Sequence, residues 1–276
     1  MPSNTSDLAI DFFPRVGFAT DEARVRAWHE YRVAADALAE LSRGWGAPPH
    51  ALIWSEQDSG WLANGAGPSG TVIGWLDLGA ASVWIERREP QEGCWIELEG
   101  RPPAEIQEWI RGAATRLSGH HTDGAPTPPT KAALRAFTLD DPDARADLEA
   151  LYEGAGLLLS ALANTFSAGN TEPPPPQLFA STLNAQITLT VREDRAPMTI
   201  GLTAPDDAEP LGSWFARVPE GIQPGELPTG RWHESADGAP CARLSIADLT
   251  HLEDGESQCE RIVSFLNAIL NSYAQA

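Results

Sequence analysis

The sequence predicts an α+β fold made of two pseudo-repeated antiparallel β-meanders, each flanked by helices. The order is helix, five strands, helix; a linker; then helix, four strands, helix. Three observations predict it. Apolar residues recur at helical spacing in four separate stretches. Short alternating runs rich in Val, Ile, Trp and Thr cluster between them, bounded by Gly, Pro and Ser. The two halves also rhyme: each has a long helix, a proline stop, a meander, a Cys-led strand (CWIELEG, CARLSIA) and a closing helix. The expected boundaries are 1–118 for the first half, 119–142 for the linker and 143–276 for the second half.

The first helix opens at Thr20-Asp21-Glu22, whose carboxylates suit the positive end of the helix dipole. Val25, Trp28, Ala35, Leu38 and Leu41 fall near one face. Gly44-Trp45-Gly46 and Pro48-Pro49 stop it. Strands are expected at Ala51–Trp54, Gly60–Asn64, Thr71–Leu78, Ser82–Glu86 and Cys94–Glu99. Arg101-Pro102-Pro103 introduces the second helix, with Pro103 at the first helical position and Ile106, Trp109, Ile110, Ala113 and Leu117 along one stripe. Residues 119–130, GHHTDGAPTPPT, have the composition of a linker.

Asp143–Phe166 carries the clearest helical period, through Leu148, Leu151, Tyr152, Ala155, Leu158, Leu159, Leu162 and Phe166. Gly169-Asn170 and Pro173–Pro176 end it. Ile187, Leu189 and Val191 alternate with threonines, as do Met198, Ile200 and Leu202, which is the strand period. Ser213–Val218 and Ala242–Ile246 are further strands, and Ser257–Tyr273 is the closing helix. Helices at the ends of antiparallel meanders lie on one face of each sheet.

The charge excludes more than it assigns. With 39 acidic residues against 19 basic ones, the formal net charge is −20. Direct nucleic-acid binding and docking on an anionic membrane both need the opposite sign. A decoy for a nucleic-acid-binding partner is the acidic alternative; solubility and a composition bias toward arginine, with Lys131 the sole lysine, is the plain one. Cys94, Cys241 and Cys259 form neither a disulfide framework nor a metal spacing. The opening MPSNTSDLAIDFFPRVGF lacks the charge and apolar run of a secretory signal. The longest apolar stretch, around Gly154–Ala163, is too short to span a bilayer. A cytoplasmic location is expected.

Four stretches resemble the bacterial domain-of-unknown-function family numbered 5996. HEYRVAADALAELSRGWGAPPHALIW with SGWLANG sits where that family has its first helix, a proline-containing turn and a paired strand. GTVIGWLDLGAASVWIE with CWIELEGRPPAEIQEWIRGAATRL is similar to its hairpin, turn and helix. DDPDARADLEALYEGAGLLLSALANTF resembles its central helix, and LPTGRWHESADGAPCARLSIADLTHLEDGESQCERIVSFLNAIL its closing segment, including a Trp-His pair before the last strand. The resemblance rests on layout, covers nearly the whole chain and implies no activity. The family's polar pattern on the first helix reads ALAELSRGWG here, and its His/Phe/Trp/Gly signature after the central helix reads LFASTLNAQITLTV.

No nucleotide-binding glycine loop, HExxH, EF-hand loop or GxSxG elbow is present. His120 and His121 with Asp123 could touch a metal, but adjacent histidines in an extended loop point apart, so no metal site is expected. Trp232-His233-Glu234 could hold an imidazole beside a carboxylate, the pairing that tunes a general base; a surface loop or domain contact is the plain reading. His50, before the first strand, is a second weak catalytic candidate. Asp77, in IGWLDLG, is the third, at an exposed strand end or facing a pocket. His29 and His251 have the settings of helix-surface and capping residues.

The tryptophans are the most informative feature. Of ten, Trp54, Trp61, Trp75, Trp84 and Trp95 fall one on each of the five strands of the first half. Those strands are apolar on both faces, whereas a sheet wetted on one face alternates. The second face is therefore expected to be covered by the C half, by another copy of the chain or by a ligand. Indoles suit flat apolar molecules, sugars and cations. The leading expectation is a non-catalytic binding or interaction protein whose contact surface is the Trp-rich sheet, with a small-molecule ligand or a homodimer partner and no cofactor. The alternative is a cofactor-independent enzyme acting on a small apolar or aromatic molecule, using His50, Asp77 or His233.

Overall fold

The structure, a computed structural model, describes residues 13–43, 51–67, 69–119, 135–166, 173–191, 194–205, 209–220, 225–234 and 238–275. The helices are α1 (Asp21–Arg43), α2 (Pro103–Ser118), α3 (Pro142–Phe166), α4 (Ala247–Thr250) and α5 (Gly255–Gln275). The first-half strands are β1 (Ala51–Ser55), β2 (Gly60–Gly67), β3 (Gly70–Asp77), β4 (Ser82–Arg87) and β5 (Glu92–Glu97). Then come β6 (Gln177–Phe179), β7 (Asn184–Leu189), β8 (Met198–Thr203), β9 (Ser213–Arg217), β10 (Arg231–Glu234) and β11 (Pro240–Ser245). The fold is α+β and antiparallel, as expected. The strands follow one hydrogen-bonding order, β10-β11-β9-β8-β7-β6-β1-β2-β3-β4-β5, so the expected pair of meanders is a single sheet.

The second half departs from the expected four strands. β6 is only three residues long, below what periodicity can register. β10 occupies Arg231–Glu234, where a surface loop or domain contact was expected. β1–β5 run as a simple meander, while β9 pairs β11 and β10 lies outside it.

The chain divides into two compact units, residues 19–149 with 177–183, and residues 1–18 with 150–176 and 184–276. In the first, α1 and α2 pack on β1–β5. Leu52, Ala63, Val72, Val83 and Ile85 on the strands are almost wholly buried, as are Trp28, Tyr31 and Leu38 on α1 and Ile106, Ile110 and Leu117 on α2. Pro103 does take the first helical position, where its missing N–H costs nothing.

A buried ion pair ties α1 to the start of α3. Arg24 donates from Nε and Nη2 to Asp147 Oδ2 at 3.1 and 2.9 Å, and from Nη2 to the Ala19 carbonyl at 3.0 Å. The Ala19 N–H donates to the same carboxylate oxygen at 3.0 Å. Such density of donors is what makes a charge tolerable away from water. Part of the expected linker is also fixed in this unit. Phe137 and Leu139 are buried, Phe137 bridges to Glu99, and the Thr138 and Leu139 N–H groups donate to Glu30 Oε2.

In the other unit a neutral side chain does the equivalent job. Gln258 is fully buried on α5. Its Oε1 accepts from the Val16 N–H at 3.0 Å, and its Nε2 donates to the Val16 and Leu249 carbonyls at 2.7 and 3.1 Å. Gly255 makes the approach possible, since a Cβ there would collide with the Phe13 carbonyl. Residues 13–16, ahead of α1, therefore pack with the closing helix.

Candidate binding face

The cross-strand registers sort the five strand tryptophans onto two faces. Trp54 stands opposite Trp61, and their rings meet edge to face at 5.3 Å between centroids. Each shares its face with a buried core position two residues away, Leu52 and Ala63, and both are 5% exposed. They belong to the face under the helices, where their role is packing.

The other three share the opposite face. Trp75 is opposite Trp84, and Trp84 opposite Trp95. Their indoles stack as a row, with centroids 5.7 Å apart at each step and planes inclined by 3° and then 27°. Leu62 extends the row on β2. Burial falls along it: Leu62 is buried, Trp75 and Trp84 are half-buried, and Trp95 is 51% exposed. Trp84 Nε1 donates to Ser82 Oγ at 3.0 Å, which fixes the middle ring.

Carboxylates border the row. Asp77, Ser82 and Glu97 are aligned on one side of it, and Ile73, Glu86 and Gly93 on the other. Asp77 Oδ1 accepts the Ala80 N–H at 2.8 Å and closes the β3–β4 turn. Glu86 lies 3.8 Å from the Arg88 guanidinium. Beside the exposed end of the row a groove of about 370 Å³ is lined by Trp95, Ile96, Glu97, Arg101, Glu105 and Trp109. Arg101 and Glu105 are ion-paired there, one helical turn apart.

Two of the catalytic candidates, Asp77 and His233, are described, and each stands in its own unit. Asp77 serves its turn. His233 stands opposite Cys241 in the β10–β11 ladder, half-buried. Consecutive strand residues point to opposite faces, so Glu234 does not share its side. Trp232 Nε1 donates to the Gly225 carbonyl at 2.8 Å. His50 lies outside the described residues, as do His120, His121 and Asp123. Burial disfavours the thiolate at two cysteines. Burial pushes Cys94 up, against the pull of Arg116, whose Nη2 is 3.1 Å from the sulfur; burial pushes Cys259 up to about 11.

Among the described residues, no group of three or more His, Cys, Asp or Glu is placed to hold a metal, and no helix is long and apolar enough to cross a membrane. Sequence reasoning missed the groove and Trp109's part in it. Trp109 reads as one more core residue of an amphipathic helix, and only the sheet edge beside it gives it a second role. No family model, no curated protein and no solved structure matches this chain.

Proposed function

We propose that this is a non-catalytic binding protein whose contact surface is the Trp75–Trp84–Trp95 row. The observation that carries the reading is a stacked indole row that ends in a half-exposed tryptophan beside a groove. Large aromatic side chains are normally buried, and contiguous exposed aromatic surface marks recognition sites. Among the described residues the enzyme alternative gains no observation of its own: Asp77 is engaged in a turn, and Glu234 points to the other side of the strand from His233. Kinship with family 5996, and an internal duplication behind the two halves, belong to the same proposal on the order of elements alone.

Native mass spectrometry of the intact protein tests the reading, with Trp84→Ala alongside. A retained mass or a dimer that Trp84→Ala loses supports it. A bare monomer in both, unchanged by added aromatic probes, overturns it.

A further inference from the structure

Trp95 ends the indole row, and it also sits on β5, the last strand of the sheet order. The hydrogen-bond alternation of an antiparallel ladder settles which backbone groups of β5 remain available. The Leu98 N–H donates inward to the Ala81 carbonyl at 2.8 Å. Bonded and non-bonded pairs alternate, so Ile96 and Cys94 also bond inward to β4, while the N–H and C=O of Gly93, Trp95 and Glu97 point away from the sheet. Just past β5, the chain already accepts a neighbour on this side. The Phe137 N–H donates to the Arg101 carbonyl and the Gly100 N–H to the Phe137 carbonyl, both within 3.0 Å. The described chain leading to that bridge begins at Arg135. Among the described residues, no strand continues it along Gly93–Glu97.

The side chains at this edge differ by face. On the indole face, Trp95 is flanked along its strand by the exposed carboxylate of Glu97, and diagonally by Glu86 beside Gly93. Among the described residues, no cation pairs with Glu97. On the helix side stand Trp109, the Arg101–Glu105 pair and Arg116. A strand added here would alternate between an acidic aromatic surface and an apolar one that already holds its own cations.

We infer that the outer edge of β5 takes an extended peptide segment bearing arginine, its main chain adding to Gly93–Glu97 and its guanidinium lying on Trp95 between Glu97 and Glu86. This rests on the reading of the Trp row as a contact surface and names its partner. Main-chain pairing gives such additions their affinity, and side-chain sites give them specificity. A guanidinium stacks flat on indole and is less strongly hydrated than an ammonium. The chain's charge of −20 draws a basic segment to it.

The test uses full-length protein labelled with 5-fluorotryptophan, with Trp95→Phe and Trp109→Phe to assign the two signals. Four probes are titrated by fluorine NMR: an acetylated, amidated Thr-Arg-Thr-Val-Arg-Thr peptide, its citrulline version, a version N-methylated at alternate residues, and a neutral indole derivative. The expected result is that the arginine peptide shifts the Trp95 and Trp109 signals. Citrulline should weaken binding by roughly tenfold, through loss of the cation–π and carboxylate contacts. N-methylation should abolish it, and Glu97→Gln should reduce it by a smaller factor. Equal binding of the arginine and citrulline peptides, or of the N-methylated one, overturns the inference. Shifts in the row with the indole derivative alone overturn it too, but leave the Trp row as a contact surface. No shift with any probe removes both.

Discussion

Two cross-strand rows of four residues make the instructive comparison. In one unit, Ala185, Leu202, Trp214 and Leu244 stand side by side across β7, β8, β9 and β11, and all four are fully buried. In the other, Leu62, Trp75, Trp84 and Trp95 stand side by side across β2–β5, and burial fades to half-exposure at the end. The opposite faces differ as well. Behind Trp214's row the β7–β11 strands carry Thr188, Thr199, Arg217, Cys241 and His233 in register. Behind Trp95's row lies the main core under α1 and α2. The sheet around Trp214 needs one apolar face and has one. The sheet around Trp95 already has a core, so its indole row is surplus to stability. Surplus aromatic surface is where recognition is to be sought.

The largest effect should fall on the buried members of each unit. Trp214→Ala should cost about 3–5 kcal/mol, read from the midpoint of urea unfolding, because the vacated volume is walled by fully buried neighbours. Arg24→Ala should cost a similar 3–5 kcal/mol or so, since Asp147 would be left buried without its counter-charge. A small loss there would mean that water reaches Asp147 and that the first unit opens more readily than its packing implies. Gln258→Leu keeps the volume but strands three backbone groups, and should cost about 1–3 kcal/mol.

Trp95→Ala should cost no more than about 1 kcal/mol, as expected of a half-exposed side chain. A loss near that of Trp214→Ala would erase the contrast and make the row part of the core. The smallest effect is chemical. With Cys259 raised to about 11, its neutral form is favoured by the fold. Its stabilising contribution is present below the ordinary thiol value and is lost as pH rises toward that figure. Near about pH 9, iodoacetamide should therefore label Cys259 at least roughly tenfold more slowly in native protein than in urea. Mass spectrometry of peptides reads this directly.

Much of this contrast is written in the sequence, and some is not. The one-sided alternation of Ile187/Leu189 and Met198/Ile200 is a period-two pattern that describes the folded strands; the two-sided apolarity of the first half holds at Leu62 and Ile73 and gives way to Glu86, Trp95 and Glu97 toward β5. Which tryptophans share a row is a different matter. It depends on turn length, because each antiparallel register is fixed by the residues between strands. Trp75 and Trp84 stand equally far from the connection 78–81, and Trp84 and Trp95 equally far from 88–91, which brings the three into line, while Trp54 and Trp61 fall on the other strand parity. β6 and β10 went unread because three or four residues carry too little periodicity, and Trp232-His233 has the look of a loop beside Gly230 and Ser235. The Arg24–Asp147 pair was invisible because nothing in a helical pattern says that an arginine on the apolar stripe meets an aspartate 123 residues away.

The Gln258 clamp also bears on how the molecule is made. A ribosome releases Val16 long before it releases Gln258, 242 positions later. The unit built on β1–β5 has all its parts once β6 has emerged, and can consolidate while synthesis continues. The other unit must wait for its last helix, with the Phe13–Phe18 segment held in reserve throughout. Native order in that unit is thus sealed only once α5 has emerged, when Val16 meets Gln258.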